Sequence, residues 1–123
     1  MENSLEKLEV YILAWEISSL AWKIFNQLPK NFQYHIGNQF LDAADSISAN
    51  IAEGYGRYHF KESINFNNYA RGSAYESKDW IEKLKERELC KESDAKEFLE
   101  MLKIEILKIN GYNSYLRSRS TEK

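Results

Sequence analysis

Apolar residues recur every three or four positions along this chain from Leu5 to Leu116, and no window alternates apolar and polar side chains long enough to make a half-buried strand. That property restricts the fold to packed helices. Few residues interrupt it: a single proline and five glycines. Pro29 cannot donate to a helical ladder and disfavours helix at the residue before it, so a first helix has to stop there. Gly54 and Gly56 break a second, and the polar link Cys90-Lys91-Glu92 separates a third from a fourth. The predicted helices cover roughly 4–28, 34–53, 58–89 and 93–117 of one domain spanning 1–123. Short links between helices of similar length lead to an all-α, antiparallel up-down-up-down four-helix bundle.

The stripes differ from helix to helix. The first carries two, Leu5, Leu8, Ile12 and Trp15 beside Leu13, Ile17, Leu20, Ile24 and Leu28, and a helix apolar on two sides is expected to be covered on two sides. The second pairs Ile36, Phe40, Ala43, Ala44, Ile47 and Ile51 with a polar row next to the core, Gln39, Asp42, Ser46, Asn50 and Glu53. The third places Phe66, Tyr69, Ala70, Ser73, Trp80 and Leu84 on one face. Gly72 sits in its interior, where it costs ~1 kcal/mol relative to alanine, so close backbone packing is expected there. Ser93 and Asp94 read as the start of the fourth, whose stripe is Phe98, Leu102, Ile106, Ile109 and Leu116. Tyr11, Trp22, Ile104 and Leu107 exceed what one bundle core needs, which predicts a homo-oligomer.

Seventeen basic against nineteen acidic residues give a net charge of -2, so contact with nucleic acid would have to come from a local patch. Cys90 stands alone, which rules out an internal disulfide and a multi-cysteine metal site. The N-terminus MENSLEKLEV has no basic stretch followed by an apolar run, and the apolar segments are too interrupted to span a bilayer, so a cytoplasmic protein without membrane contact is expected. Catalytic ingredients are thin. His35 and His59 fall on different connections, no Glu-x-x-His pair exists, and Glu53 facing Glu76 is more simply read as two surface charges than as an acid/base pair. The expectation is a protein that is not an enzyme and holds no metal or cofactor.

The stretch SANIAEGYGRYHF at 48–60 combines glycines with aromatic and basic residues. Its two glycines match neither a Walker loop nor a Rossmann fingerprint, because a helix precedes them and the remaining motif residues are missing. Their expected role is a helix stop with positive φ. Tyr55, Arg57, Tyr58, His59, Phe60 and Lys61 join planes that can stack on bases to cations that can pair with phosphates. The plainer alternative is that Tyr58 and Phe60 staple the third helix to the bundle while Arg57 and Lys61 are solvated. Arg117, Arg119 and Lys123 form a second basic group, read as a solvated tail.

Taken together, LEV at 8–10, the single proline after the first helix, Gln39 with AADSISANIAEGYGR at 43–57, and ARGSAYES at 70–77 resemble a bacterial family of four-helix-bundle proteins. That family was first noted in intervening sequences of 23S ribosomal RNA genes and is also described as S23 ribosomal protein-like. NIAEGYGR is the most specific portion of the resemblance, and Gly72, Ser73 and Glu76 supply a second motif, GSxxE. It implies ring-like homopentamers around a central channel and binding to RNA. A distantly related branch is the accessory variability determinant of diversity-generating retroelements, which binds nucleic acid and a reverse transcriptase. This chain has Leu41 and Asp42 where many relatives are basic, and its slight acidity argues against that branch.

The combined expectation is a bundle that binds RNA through Tyr55, Arg57, Tyr58, His59 and Lys61, repeated around the ring so that avidity compensates for weak single sites. The alternative is a protein-interaction scaffold without nucleic-acid binding. Gln39, Ser46, Asn50, Glu53, Gly54, Gly56, Gly72, Ser73 and Glu76 form a structural polar motif. Within it, Asn50, Glu53, Ser73 and Glu76 are expected to join in a hydrogen-bonded network where the second and third helices meet.

Overall fold

The structure, a computed structural model, describes residues 4–121. A 3₁₀ turn over Leu5–Lys7 leads into α1, Glu9–Gln27; α2 is Asn38–Tyr55, α3 is Phe60–Glu86 and α4 is Glu92–Thr121. α1 packs on α2 and α4, and α3 packs on α2 and α4, so the four helices close into a bundle. Ion pairs Lys23–Asp94 and Glu9–Lys108 join the last turns of α1 to the start of α4 and the start of α1 to the middle of α4, an antiparallel order. The all-α four-helix bundle read from the periodicity is the observed architecture.

Each core stripe follows from residue spacing. α1 buries Val10, Ala14, Ile17, Ala21 and Ile24, with Leu28 buried just beyond its end, and α2 buries Phe40, Ala44, Ile47 and Ile51. Phe40 meets Phe98 of α4 with ring centroids 5.1 Å apart and planes tilted by 56°, an arrangement worth about 1 kcal/mol beyond the area it buries. α3 is unusual. Its buried seam is Ser63, Asn67, Ala70, Ala74, Ser77, Ile81 and Leu84, with small or polar side chains along most of its length. The large aromatics that the sequence placed on this face lie beside or outside it, and Tyr69 is exposed.

Small side chains on α3 allow α2 to come unusually close. A Cβ added to Gly54 would lie 2.8 Å from the Phe66 Cβ and 3.0 Å from the Ser63 carbonyl oxygen. The Ser63 hydroxyl donates to the Gly54 carbonyl at 2.7 Å. The expected positive φ is absent: Gly56 caps α2 at φ −78 and ψ −3, and no described glycine is left-handed. Gly54 is therefore required for space and not for an unusual dihedral. A Cβ added to Gly72 would meet no atom within 4 Å, because this glycine points away from the seam, so the close packing expected there does not occur.

The seam of α4 runs through Ala95, Phe98, Leu102, Glu105, Ile109, Asn113 and Leu116. Glu105 is fully enclosed, and neither of its carboxylate oxygens has a hydrogen-bond partner among the described residues. Burial raises its pKa from 4.5 to about 8, with Lys108 pulling weakly the other way. Asn113 fares differently. It accepts from Asn67 Nδ2 at 2.9 Å and donates to Asn68 Oδ1 at 3.1 Å; Arg71 in turn donates to Asn68 and Asn110, linking α3 to α4 by a chain of amides.

Connections account for the differences in helix limits. The side-chain amide of Gln33 donates to the carbonyls of Phe25 and Leu28, satisfying the end of α1 that Pro29 leaves open. Residues Gln33–Gly37 form a wide π-type turn in which His35 leaves helical geometry at φ −122 and ψ −108, so α2 starts at Asn38 and not near 34. α4 starts at Glu92, which puts Ser93 inside its first turn instead of at the cap. After α3, Glu88 adopts φ 58 while Leu89 N–H reaches Leu84 O at 2.8 Å and Glu88 N–H reaches Lys85 O at 3.0 Å, a Schellman closure. A side chain in that conformation costs about 1 kcal/mol. Glu88→Gly is expected to raise the melting temperature by about 3 °C in a calorimetric scan, with a decrease counting against the assignment.

Apolar surface remains outside the core. Ile12, Trp15 and Trp22 of α1 and Ile104 and Leu107 of α4 are exposed, so the stripe that begins with Leu5 and Leu8 leaves Ile12 and Trp15 uncovered within one chain, while the stripe through Ile17, Leu20, Ile24 and Leu28 is buried. Tyr11, expected to be spare, packs against the core instead.

Candidate nucleic-acid interface

The antiparallel order brings the end of α2, the start of α3, the end of α4 and the start of α1 to one end of the bundle. Tyr55 is the last residue of α2, and Gly56 to His59 form the turn into α3. Tyr58 is 87% exposed, so it does not staple α3 to the bundle; its ring neighbour is His59, edge-on at 4.8 Å. Lys61 is exposed on the first turn of α3 and makes no ion pair with the described residues. Arg57 is already engaged. Its guanidinium donates to Glu53 at 2.7 Å and lies 4.7 Å from the centre of the Phe66 ring, which anchors the turn and reduces the charge it offers outward.

Beside this turn the structure forms a cavity of about 270 Å³ that the sequence did not reveal. Lys7, Tyr55, Phe60, Tyr112, Tyr115 and Arg119 line it over an apolar floor that includes Leu116. No carboxylate of the described residues lines it. Burial pushes the Tyr112 phenol up in pKa, and the neighbouring phenols of Tyr55 and Tyr115 act in the same direction, which places the three tyrosines in one cluster. Arg119, read from the sequence as belonging to a solvated tail, thus shares a surface with Tyr55; Lys123 of that tail lies outside the described residues. The missed signal was spacing: Tyr112, Tyr115 and Arg119 are three and four residues apart, which aligns them on one face of a helix.

The expected network of Asn50, Glu53, Ser73 and Glu76 does not form. Asn50 donates to Ser46 O at 2.9 Å, Glu53 pairs with Arg57, Ser73 receives the Ser77 hydroxyl through its carbonyl, and Glu76 accepts from Trp80 Nε1 at 3.2 Å. Each interaction stays within one helix or runs from α2 into the adjoining turn. The reason is geometric: α2 and α3 touch through Gly54 and Ser63, while the polar row beside them faces outward, where Gln39, Glu53 and Glu76 are exposed. Ser46 closes back on Asp42 O at 2.7 Å. Glu53 and Glu76 consequently do not assemble into an acid/base pair. His35 and His59 lie at different connections, and no group of three or more metal-ligating side chains occurs among the described residues. Burial and the nearby Asp94 raise the pKa of the half-buried Cys90 thiol, away from the thiolate form that a nucleophile or metal ligand requires.

Fold and site together define a small antiparallel helical bundle with an aromatic, cationic end. The chain belongs to the 23S rRNA-intervening sequence protein family, whose model matches residues 6–111. No curated protein matches it. Among solved structures, a protein of unknown function from the S23 ribosomal protein family of Bacteroides thetaiotaomicron is similar over 90% of this chain and 97% of its own, with a TM-score of 0.66 and 23% identity. That likeness establishes the fold. No helix among the described residues is long and apolar enough to cross a membrane.

Proposed function

We propose that the protein is a non-enzymatic, self-associating bundle of the cytoplasm that binds RNA with the end formed by the α2–α3 turn and the C-terminal turns of α4. The observation that carries this reading is the lining of the end cavity: aromatic rings and two cations, with no carboxylate among the described residues, in a chain whose net charge is -2. Such a surface holds nucleic acid by stacking and phosphate pairing even when the whole chain is slightly acidic. Exposed Tyr58, His59 and Lys61 extend it, while Arg57 contributes less because Glu53 shares its charge. The uncovered faces of α1 and α4 support assembly into a homo-oligomer, a pentamer by family likeness, which multiplies weak sites.

Gel shift with fragments of ribosomal RNA tests this, alongside light scattering for the oligomer. The expected result is a shift at low salt that fades as salt rises, and Arg119→Glu should weaken it several-fold by replacing a phosphate partner with a repelling charge. Absence of any shift at low salt, with the fold and oligomer intact, removes the RNA reading. It would favour the second reading, a scaffold that docks another protein. That alternative has its own support in a groove of about 930 Å³ between α3 and α4, where Tyr75, Leu99, Ile106 and Leu107 lie between lysines and glutamates.

A further inference from the structure

We infer that the end cavity takes one unpaired nucleobase of single-stranded RNA, stacked among the tyrosines with the adjoining phosphates on Lys7 and Arg119. The inference rests on the RNA reading above and narrows it to unpaired strands. Three features of the cavity carry it. Its volume, about 270 Å³, lies just below the range of small-molecule sites, so this half-open depression can seat one planar group and not the side of a duplex.

Its walls are graded. Tyr112 and Tyr55 are half-buried while Tyr115 is 55% exposed, so a ring entering from solvent would meet Tyr115 first and the enclosed phenols after it. None of the three phenol groups donates a hydrogen bond to the described residues, which leaves them available for the polar edge of a base or a ribose 2′-hydroxyl. A base inside a duplex presents no free face to such a cavity, because both of its faces are already stacked. An unpaired one does.

The cations complete the arrangement. Lys7 precedes α1 and Arg119 lies near the end of α4, so they approach the cavity from different elements, and the absence of carboxylates among its described lining leaves an entering phosphate no carboxylate in direct contact. Sequence preference should be weak, since every base has a face to stack.

The test uses the full chain with an RNA strand of about ten nucleotides carrying a fluorescent 2-aminopurine, compared with the same strand annealed to its complement. Binding of the single strand should change the 2-aminopurine emission, and the duplex should bind at least about tenfold more weakly. Tyr115→Ala, at an exposed position that does not support the core, should weaken single-strand binding by about tenfold or more, while Tyr115→Trp should preserve it. Circular dichroism on both variants establishes that they fold. Equal affinity for strand and duplex, or an unchanged affinity in Tyr115→Ala, overturns this inference and leaves RNA binding by the bundle end in place. Failure of both nucleic acids to bind overturns the RNA reading itself.

Discussion

Replacing Glu105 with leucine is expected to raise the melting temperature by roughly 10 °C at neutral pH, because it removes an unpartnered carboxyl from the core seam of α4 and leaves an apolar side chain of similar reach. The effect should depend on pH in a definite direction. With a pKa raised from 4.5 to about 8, the folded chain keeps a proton that the unfolded chain has released across that interval. The stability linked to this proton is therefore fully present below pH 4.5 and is lost as the pH climbs towards 8. Between about pH 5 and pH 8 the wild type should lose on the order of 3 kcal/mol by this route alone. Glu105→Gln, which cannot ionise, should match the wild type near pH 5 and exceed it near pH 8. Parallel pH profiles for the two proteins would mean that the carboxyl already finds water or a cation, and would sink the prediction.

A bulkier residue at Gly54 should have an effect of similar size and opposite sign. Gly54→Val is expected to cost about 3 kcal/mol or more, since its side chain would enter space held by the Phe66 Cβ and the Ser63 carbonyl, neither of which can swing aside as a flexible side-chain tip could. Gly54→Ala is the sharper comparison. Alanine favours a helix over glycine by about 1 kcal/mol, so a net loss of stability would show that the steric conflict exceeds the gain in propensity. An unchanged or raised melting temperature would mean that α2 and α3 can move apart cheaply. Separation of the two helices at this point would also shift Tyr55, one residue further along, and so should weaken RNA binding beyond what the loss of stability alone explains.

Helices were legible in the sequence because Pro29, the Gly54 to Gly56 break and the polar link at 90–92 cut a continuous three-to-four periodicity. The facing of α3 was not. Phe66, Tyr69 and Trp80 drew the expected core face towards large side chains, whereas the buried seam keeps a stricter three-to-four spacing through Ser63, Asn67, Ala70, Ala74 and Ser77. Size misled where spacing would have served. Polar residues were harder still: periodicity places Asn50, Glu53 and Glu76 near a face but cannot tell whether a partner waits across the helix gap or on the same helix, and here each partner is local. Glu105 shares the three-to-four spacing of Leu102 and Ile109, but a glutamate is so seldom buried without a partner that its chemistry pointed to the surface. The end cavity depended on tertiary proximity of α2 and α4, which one sequence without its contacts does not reveal.

The small seam of α3 has a mechanical consequence. Alanines and serines make shallow ridges, so a neighbouring helix could slide along them by one turn with little steric resistance. The amides of Asn67 and Asn113 remove that freedom. A one-turn slip would separate Asn67 Nδ2 from Asn113 Oδ1 and strand both of these paired, enclosed atoms, at about 1 to 3 kcal/mol apiece. α3 and α4 are thereby held to a single axial alignment by polar atoms, where side-chain bulk alone would have tolerated several.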